Sequence, residues 1–292
     1  MHPRDLPSPS LRIGPASFVW GARTYVMGVI NVSPDSFSGD GLSSAAAALD
    51  RARRFVAEGA DILDVGGQST RPGANKAEAG FDEVPPDEEI RRVVPVIEQL
   101  RAELPGVPIS VDTYKPPVAR AALAAGAHML NDIYGLRGDP VLADIAAAAG
   151  VPVVLMHNQR NRPPGDVIGR IVEGLRASIA IAEAHGISRA SLIGDPGFGF
   201  GWTPAQNIEL LRRLPELSAA RLPLLLGTSR KSTIGAVLGG APAEDRLFGT
   251  AATVALAVAG GADIVRVHDV AAMKQVALVA DAVVRGLPRE GA

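Results

Sequence analysis

The chain has 292 residues, a formal net charge of −2 and no cysteine. That charge argues against nucleic acid or an anionic membrane surface as a partner, and the lack of cysteine removes disulfides, thiolate nucleophiles and cysteine-held metals. The opening MHPRDLPSPS carries no apolar signal region, so a cytoplasmic protein is expected. Apolar stretches such as TAATVALAVAGG are too short and too rich in Ala and Gly to span a bilayer.

Residues 1–24 precede the first long apolar run. Within them LRIGPASFVWG places two apolar stretches around a Gly-Pro turn, which predicts a hairpin. Its expected place is the face of the protein opposite the functional site. From residue 25 to 292 a single domain is expected. Eight short runs rich in Val, Ile and Leu follow one another, each ending in small or polar residues. They are YVMGVIN at Asn31, DILDVGG at Gly67, VPISVD at Asp112, HMLND at Asn131 and Asp132, VPVVLMH at His157, SLIGD at Asp195, LPLLLGTSR at Ser229 and Arg230, and DIVRVH at Arg266 and His268. Runs of this kind read as strands buried on both faces of a parallel sheet. Helical patterns separate them, from SSAAAALDRARRFVAEG, which stops at Gly59, to DVAAMKQVALVADAVVRG. Pro95, inside PPDEEIRRVVPVIEQLRAEL, is expected to kink its helix unless the helix starts later in that segment. Eight strand–helix units need roughly 250 residues and predict an α/β fold, the (β/α)8 TIM barrel, with its chemistry at the C-terminal strand ends.

The strand ends then sort by chemistry. Asp112 and Asp195 read either as helix N-caps or, with the Asn131 amide between them in strand order, as a set that binds the edge of a guanidine-like heterocycle. Arg266 and His268 alternate on the last strand and so point to one side. With Asn31 on the first strand they predict an anion site, most simply for phosphate. In GTSRKSTIG, Ser232 or Thr233 opens a helix whose N–H groups favour an anion, and Lys231 adds charge. The glycines of DPGFGFG let backbone approach a ligand, with Phe198 or Phe200 as an apolar wall. His157 reads equally as a general base or as a loop-orienting group. His128 reads as structural and His185 as a helix C-terminal cation. No histidine spacing suggests zinc or iron held by protein alone. Two long loops, 33–42 and 68–85, read as mobile lids.

VMGVINVSPDSFS, GGQSTRPGA, SVDT, ND-I-YG, LMH, DPGFGFG, GTSRKSTIG and VRVHDV, in this order from about Val26 to Val270, resemble the dihydropteroate synthase family. The resemblance implies a homodimeric barrel that joins 6-hydroxymethyl-7,8-dihydropterin pyrophosphate to 4-aminobenzoate with Mg²⁺ assisting. It implies that Asp112, Asn131, Asp195 and Lys231 hold the pterin. Asn31, Arg266 and His268 would serve the pyrophosphate, with Asn31 on the metal. Asp35, Thr70 and Arg71 would close over the site, Ser232 would receive the aminobenzoate carboxylate, and Phe200 and Pro72 would wall it. Among these, Asp35, Asp112, Lys231, Arg266 and His268 are the residues expected to carry the chemistry. The aminobenzoate site would also be the sulfonamide target. Three positions depart from the family pattern: Gln68 stands where Glu is common, the first loop reads SFSGDG where SFSDGG is usual, and Trp202 replaces Lys. A pterin-dependent methyltransferase on the same barrel would share the pterin carboxylates but has little use for SRKS at a carboxylate site or STRPG on a lid. The three departures leave a diverged, non-catalytic pterin-binding paralogue as the other alternative.

Overall fold

The computed structural model describes residues 6–32, 44–68, 83–163 and 165–287. Eight parallel strands form one sheet: β3 (Tyr25–Asn31), β4 (Ile62–Gly66), β5 (Ile109–Asp112), β6 (Met129–Asp132), β7 (Val153–Met156), β8 (Leu192–Asp195), β9 (Leu225–Leu226) and β10 (Ile264–Val267). The spatial order is β8-β7-β6-β5-β4-β3-β10-β9. A parallel bridge between Gly194 and Leu224 joins the two ends of that order and closes the barrel. The helices are α1 (Ser44–Ala57), α2 (Pro86–Glu103), α3 (Pro116–Ala124), α4 (Val141–Ala149), α5 (Val167–Ala184), α6 (Pro204–Arg212), α7 (Ser232–Val237), α8 (Leu247–Ala259) and α9 (Val270–Arg285). α2 continues through Pro95 from its start at Pro86, so this proline does not end the helix.

Strand alternation explains the interior. Val26, Ile30, Leu63, Val65, Val111, Leu130, Val153 and Val265 belong to the outer core that includes residues of the helices. The alternate residues Met27, Ile62, Met129, Val154, Ile193, Leu225 and Ile264 fill the barrel's lower interior. Two residues further along the same faces, the side chains become Asp64, Asn131, Met156, Asp195 and Arg266, which is where the chemistry begins.

The predicted hairpin exists as β1 (Ser10–Ile13) and β2 (Ala16–Val19), paired antiparallel. Leu11, Ile13, Phe18 and Trp20 pack into the same cluster as the lower barrel residues. The hairpin therefore plugs the face opposite the polar strand ends. No described helix is long and apolar enough to cross a membrane.

Candidate active site

The polar strand ends converge. Asn31, Asp112, Asn131, Asp195, Phe200, Ser229, Lys231, Ser232, Arg266 and His268 line one cavity of about 330 Å³, with Gln68, Met156 and Arg160 also on its wall. Asp112 and Asp195 are not helix caps: α3 is capped at Lys115 and α6 at Thr203. Asp35, Thr70, Arg71 and Pro72 lie outside the described residues, as does most of both long loops.

The floor of the cavity is an ionic network centred on Arg266. Its Nε donates to Asp64 Oδ2 and its Nη2 to Asp112 Oδ2, both at 2.6 Å. Asn131 Nδ2 donates to the same Asp64 oxygen at 3.2 Å. Asp64 is fully buried, and sequence reading passed over it. The signal was present: a charge in the middle of the apolar run DILDVGG must face the barrel interior, because the outer face packs against helices.

Burial pushes the Asp112 carboxyl up to about 7; Arg266 opposes the rise, and Asp64, sharing that guanidinium, adds to it. Burial also raises Asp195 to about 6, against a hydrogen bond from Gly197 N to Asp195 Oδ1 at 2.7 Å. Desolvation lowers Lys231 to about 8; Arg266 lowers it further, while Asp195 and Asp112 oppose. Two carboxylates with displaced affinities beside a lowered lysine mark a site built for binding and charge stabilisation.

Backbone geometry sets the upper wall. Lys231 follows Arg230, a non-glycine residue at φ +58°. The Arg230 amide donates to Thr250 Oγ1 at 3.0 Å and its carbonyl accepts from Arg246 Nη1 at 2.9 Å. Its guanidinium pairs with Asp269. This bracing holds the strained turn that delivers Lys231 and Ser232, the latter at the first residue of α7. Lys231 is not a loose charge, since its Nζ lies 4.1 Å from the centroid of the Phe200 ring. Asn207 ties the neighbouring glycine-rich loop in place. It accepts from Gly199 N at 2.8 Å and donates to Thr233 Oγ1 at 2.9 Å.

Ser229 Oγ meets His268 Nδ1 at 3.0 Å and receives the His268 amide at 3.1 Å. Gln68 Oε1 accepts from Val84 N at 3.0 Å and also from Lys115, which pairs with buried Glu89 at 2.6 Å. His157 orients a loop: it is buried, shares a 2.9 Å hydrogen bond with Gln159 and stacks on Trp202. Burial lowers it to about 4, so it is neutral at pH 7 and does not line the cavity. His128 Nδ1 accepts from Ile109 N at 3.0 Å, a structural role as expected. His185 caps α5 and pairs with Asp144 at 2.6 Å.

A barrel whose mouth gathers two carboxylates, an amide, a lysine and an arginine agrees with the family comparison. The model of the pterin-binding enzyme family matches residues 27–268. The dihydropteroate synthase of Synechocystis is 47% identical, over 95% of this chain and 96% of its own length. The chain belongs to the dihydropteroate synthase family. Two solved structures of the Xanthomonas albilineans dihydropteroate synthase share its fold. One, with 4-aminobenzoic acid, has a TM-score of 0.88 at 44% identity, covering 96% of this chain and all of that one. The other, in complex with 7,8-dihydropteroate, has a TM-score of 0.85 at 42% identity and the same coverage. Membership of the dihydropteroate synthase family makes the chain a transferase, on an eight-stranded barrel with a hairpin at its base.

Proposed function

We propose that the chain condenses 6-hydroxymethyl-7,8-dihydropterin pyrophosphate with 4-aminobenzoate, giving 7,8-dihydropteroate and pyrophosphate in folate synthesis. The observation that carries the reading is the meeting of Asp112, Asn131 and Asp195 with Arg266, Lys231 and Ser232 on one cavity. Asp112, Asn131 and Asp195 accept and donate along the pterin edge, where charge-assisted bonds are strong and direction-selective. Lys231 closes that edge as a cation. Arg266 and His268 hold the pyrophosphate, and Ser232 receives the aminobenzoate carboxylate at the start of α7. Phe200 is the apolar wall for the aminobenzoate ring, and Pro72 is assigned to the same subsite from the family pattern.

The reaction breaks the bond from the pterin methylene carbon to the pyrophosphate oxygen and forms one from that carbon to the aniline nitrogen, which then loses a proton. Arg266 and His268 stabilise charge growing on the leaving oxygen. Asp112 stabilises positive character developing on the pterin. Asp35, Thr70 and Arg71 belong to the loops that exclude water, which would otherwise capture the electron-poor carbon.

Mg²⁺ fits this donor set in one way. Among the described residues no cluster of three or more acidic or histidine side chains could hold a cation, whereas Asn31 offers one amide oxygen on the cavity wall. Such a site suits a cation carried by the pyrophosphate, as Mg²⁺ is often held by few protein groups and by substrate phosphates. When bound it neutralises phosphate charge.

A homodimer is part of the same reading. α8 and α9 pack together and leave Phe248 86% exposed and Val283 82% exposed, with Leu256, Leu278 and Val279 also open to solvent. An apolar surface of this kind favours a partner face, and a second copy of the chain is the partner proposed. The cytoplasm is the proposed location, because a pterin pyrophosphate is charged and does not partition into a bilayer.

Incubation of purified protein with both substrates and Mg²⁺ tests the function. Stoichiometric pyrophosphate and dihydropteroate are expected, with sulfonamides competing against 4-aminobenzoate. A folded protein that releases no pyrophosphate overturns the reading.

A further inference from the structure

Arg160 lies between β7 and α5, in the segment NQRNR, to which the reading above gives no role. Its neighbour Gln159 donates its amide to the Phe200 carbonyl at 3.0 Å. Gly201, at φ +84°, allows a main-chain approach so close that a Cβ there would stand 2.3 Å from the Arg160 nitrogen and 2.6 Å from the Gln159 carbonyl carbon. The loop carrying Arg160 and the loop carrying Phe200 are thus interlocked, backbone against backbone. The Arg160 amide donates to Asn158 Oδ1 at 3.1 Å, which fixes the turn.

From this anchored position the Arg160 guanidinium carbon lies over the Phe200 ring, 4.8 Å from its centroid. Lys231 Nζ lies over the same ring at 4.1 Å. Phe200 is buried and also packs against Ile133 and Met156. One aromatic ring therefore carries two cations, each partly withdrawn from water; burial lowers the proton affinity of both. Cation–π attraction strengthens when the cation is desolvated. A ring held in this way is preorganised, and ligand binding need not freeze it.

We propose that Arg160 is a positioning residue for the second substrate: with Lys231 it holds the Phe200 ring as the fixed apolar wall against which 4-aminobenzoate packs. The inference rests on the assignment of Phe200 to the aminobenzoate site. Arg160 acts through Phe200 and takes no part in the bond exchange, so its loss weakens aminobenzoate binding and leaves pterin binding in place.

Calorimetric titration of 4-aminobenzoate, with pyrophosphate and Mg²⁺ saturating, tests this in the parent, Arg160→Leu and Arg160→Lys, beside a titration with a pterin. For Arg160→Leu the Kd for 4-aminobenzoate should rise about three- to tenfold, the range of a partly buried cation–π contact, with the pterin Kd within about twofold of the parent. Arg160→Lys, which keeps the cation, should recover most of the loss. In turnover, KM for 4-aminobenzoate should rise while kcat changes far less. An unchanged Kd in Arg160→Leu overturns the proposal, as does equal loss in the Leu and Lys variants or an equal loss of pterin affinity. A parent that binds 4-aminobenzoate but releases no pyrophosphate defeats the reading of the reaction and leaves the Arg160 comparison intact. A parent that binds no 4-aminobenzoate defeats both.

Discussion

Arg266 Nε donates to Asp64 Oδ2 at 2.6 Å, linking the last strand of the barrel to the second across its interior. The same oxygen receives Asn131, and the same guanidinium reaches Asp112. One buried carboxylate thereby orients Arg266, proposed for the pyrophosphate, and Asn131, proposed for the pterin.

Asp64→Asn keeps the shape and removes the charge. A charge-assisted hydrogen bond of about 1.5–3 kcal/mol is at stake, so turnover should fall by roughly tenfold or more while the protein remains folded. Because Asp64 adds to the raised affinity of Asp112 for its proton, the variant should also shift the acid limb of pterin binding to lower pH. A steady-state pH profile checks both effects, and parental turnover with an unmoved limb would exclude the role.

Pterin binding should release protons below neutral pH. Asp112 sits at about 7 and Asp195 at about 6 because burial disfavours their charged forms. In the ligand-free site each holds a proton over part of the time below those values. A pterin edge that donates N–H groups requires the ionised carboxylates. Affinity should therefore rise as pH increases through about 6 to about 7 and level off above that window. Calorimetry in buffers of different ionisation enthalpy at pH 6 should show net proton release. Proton uptake, or an affinity flat across the window, would contradict the assignment of these two groups.

Trp202 is 6% exposed and stacks on the His157 ring with centroids 5.7 Å apart. It stands behind the cavity wall and does not line the cavity. Trp202→Phe should cost about 1–3 kcal/mol of stability, because the smaller ring gives up packing contacts and leaves a cavity in the core, and leave kcat within about tenfold of the parent because the indole supplies no charge or proton. Urea unfolding and turnover measure the two effects. In a Trp20→Phe protein the remaining indole should resist quenching by iodide; ready quenching would place Trp202 at the surface instead.

The sequence by itself determined the eight strands, the helices between them and the hairpin, because runs of Val, Ile and Leu, glycine stops and a Gly-Pro turn are local properties of the chain. It also placed Asp112, Asn131, Asp195, Lys231, Arg266 and His268 at one mouth, since strand polarity in a parallel barrel sends every strand end to the same face. Tertiary structure decided what no local pattern contains. Alternation tells which residues face inward, but the depth at which each one meets its neighbours depends on the stagger of strands around the closed barrel. That stagger brings Asp64 under Arg266 and makes one carboxylate serve both sides of the site. The packing of the loop after β7 onto the loop after β8 likewise sets Arg160 over Phe200 and turns Trp202 inward onto His157. These contacts depend on the approach of segments distant in sequence, and a strand-end motif carries no record of what packs behind it.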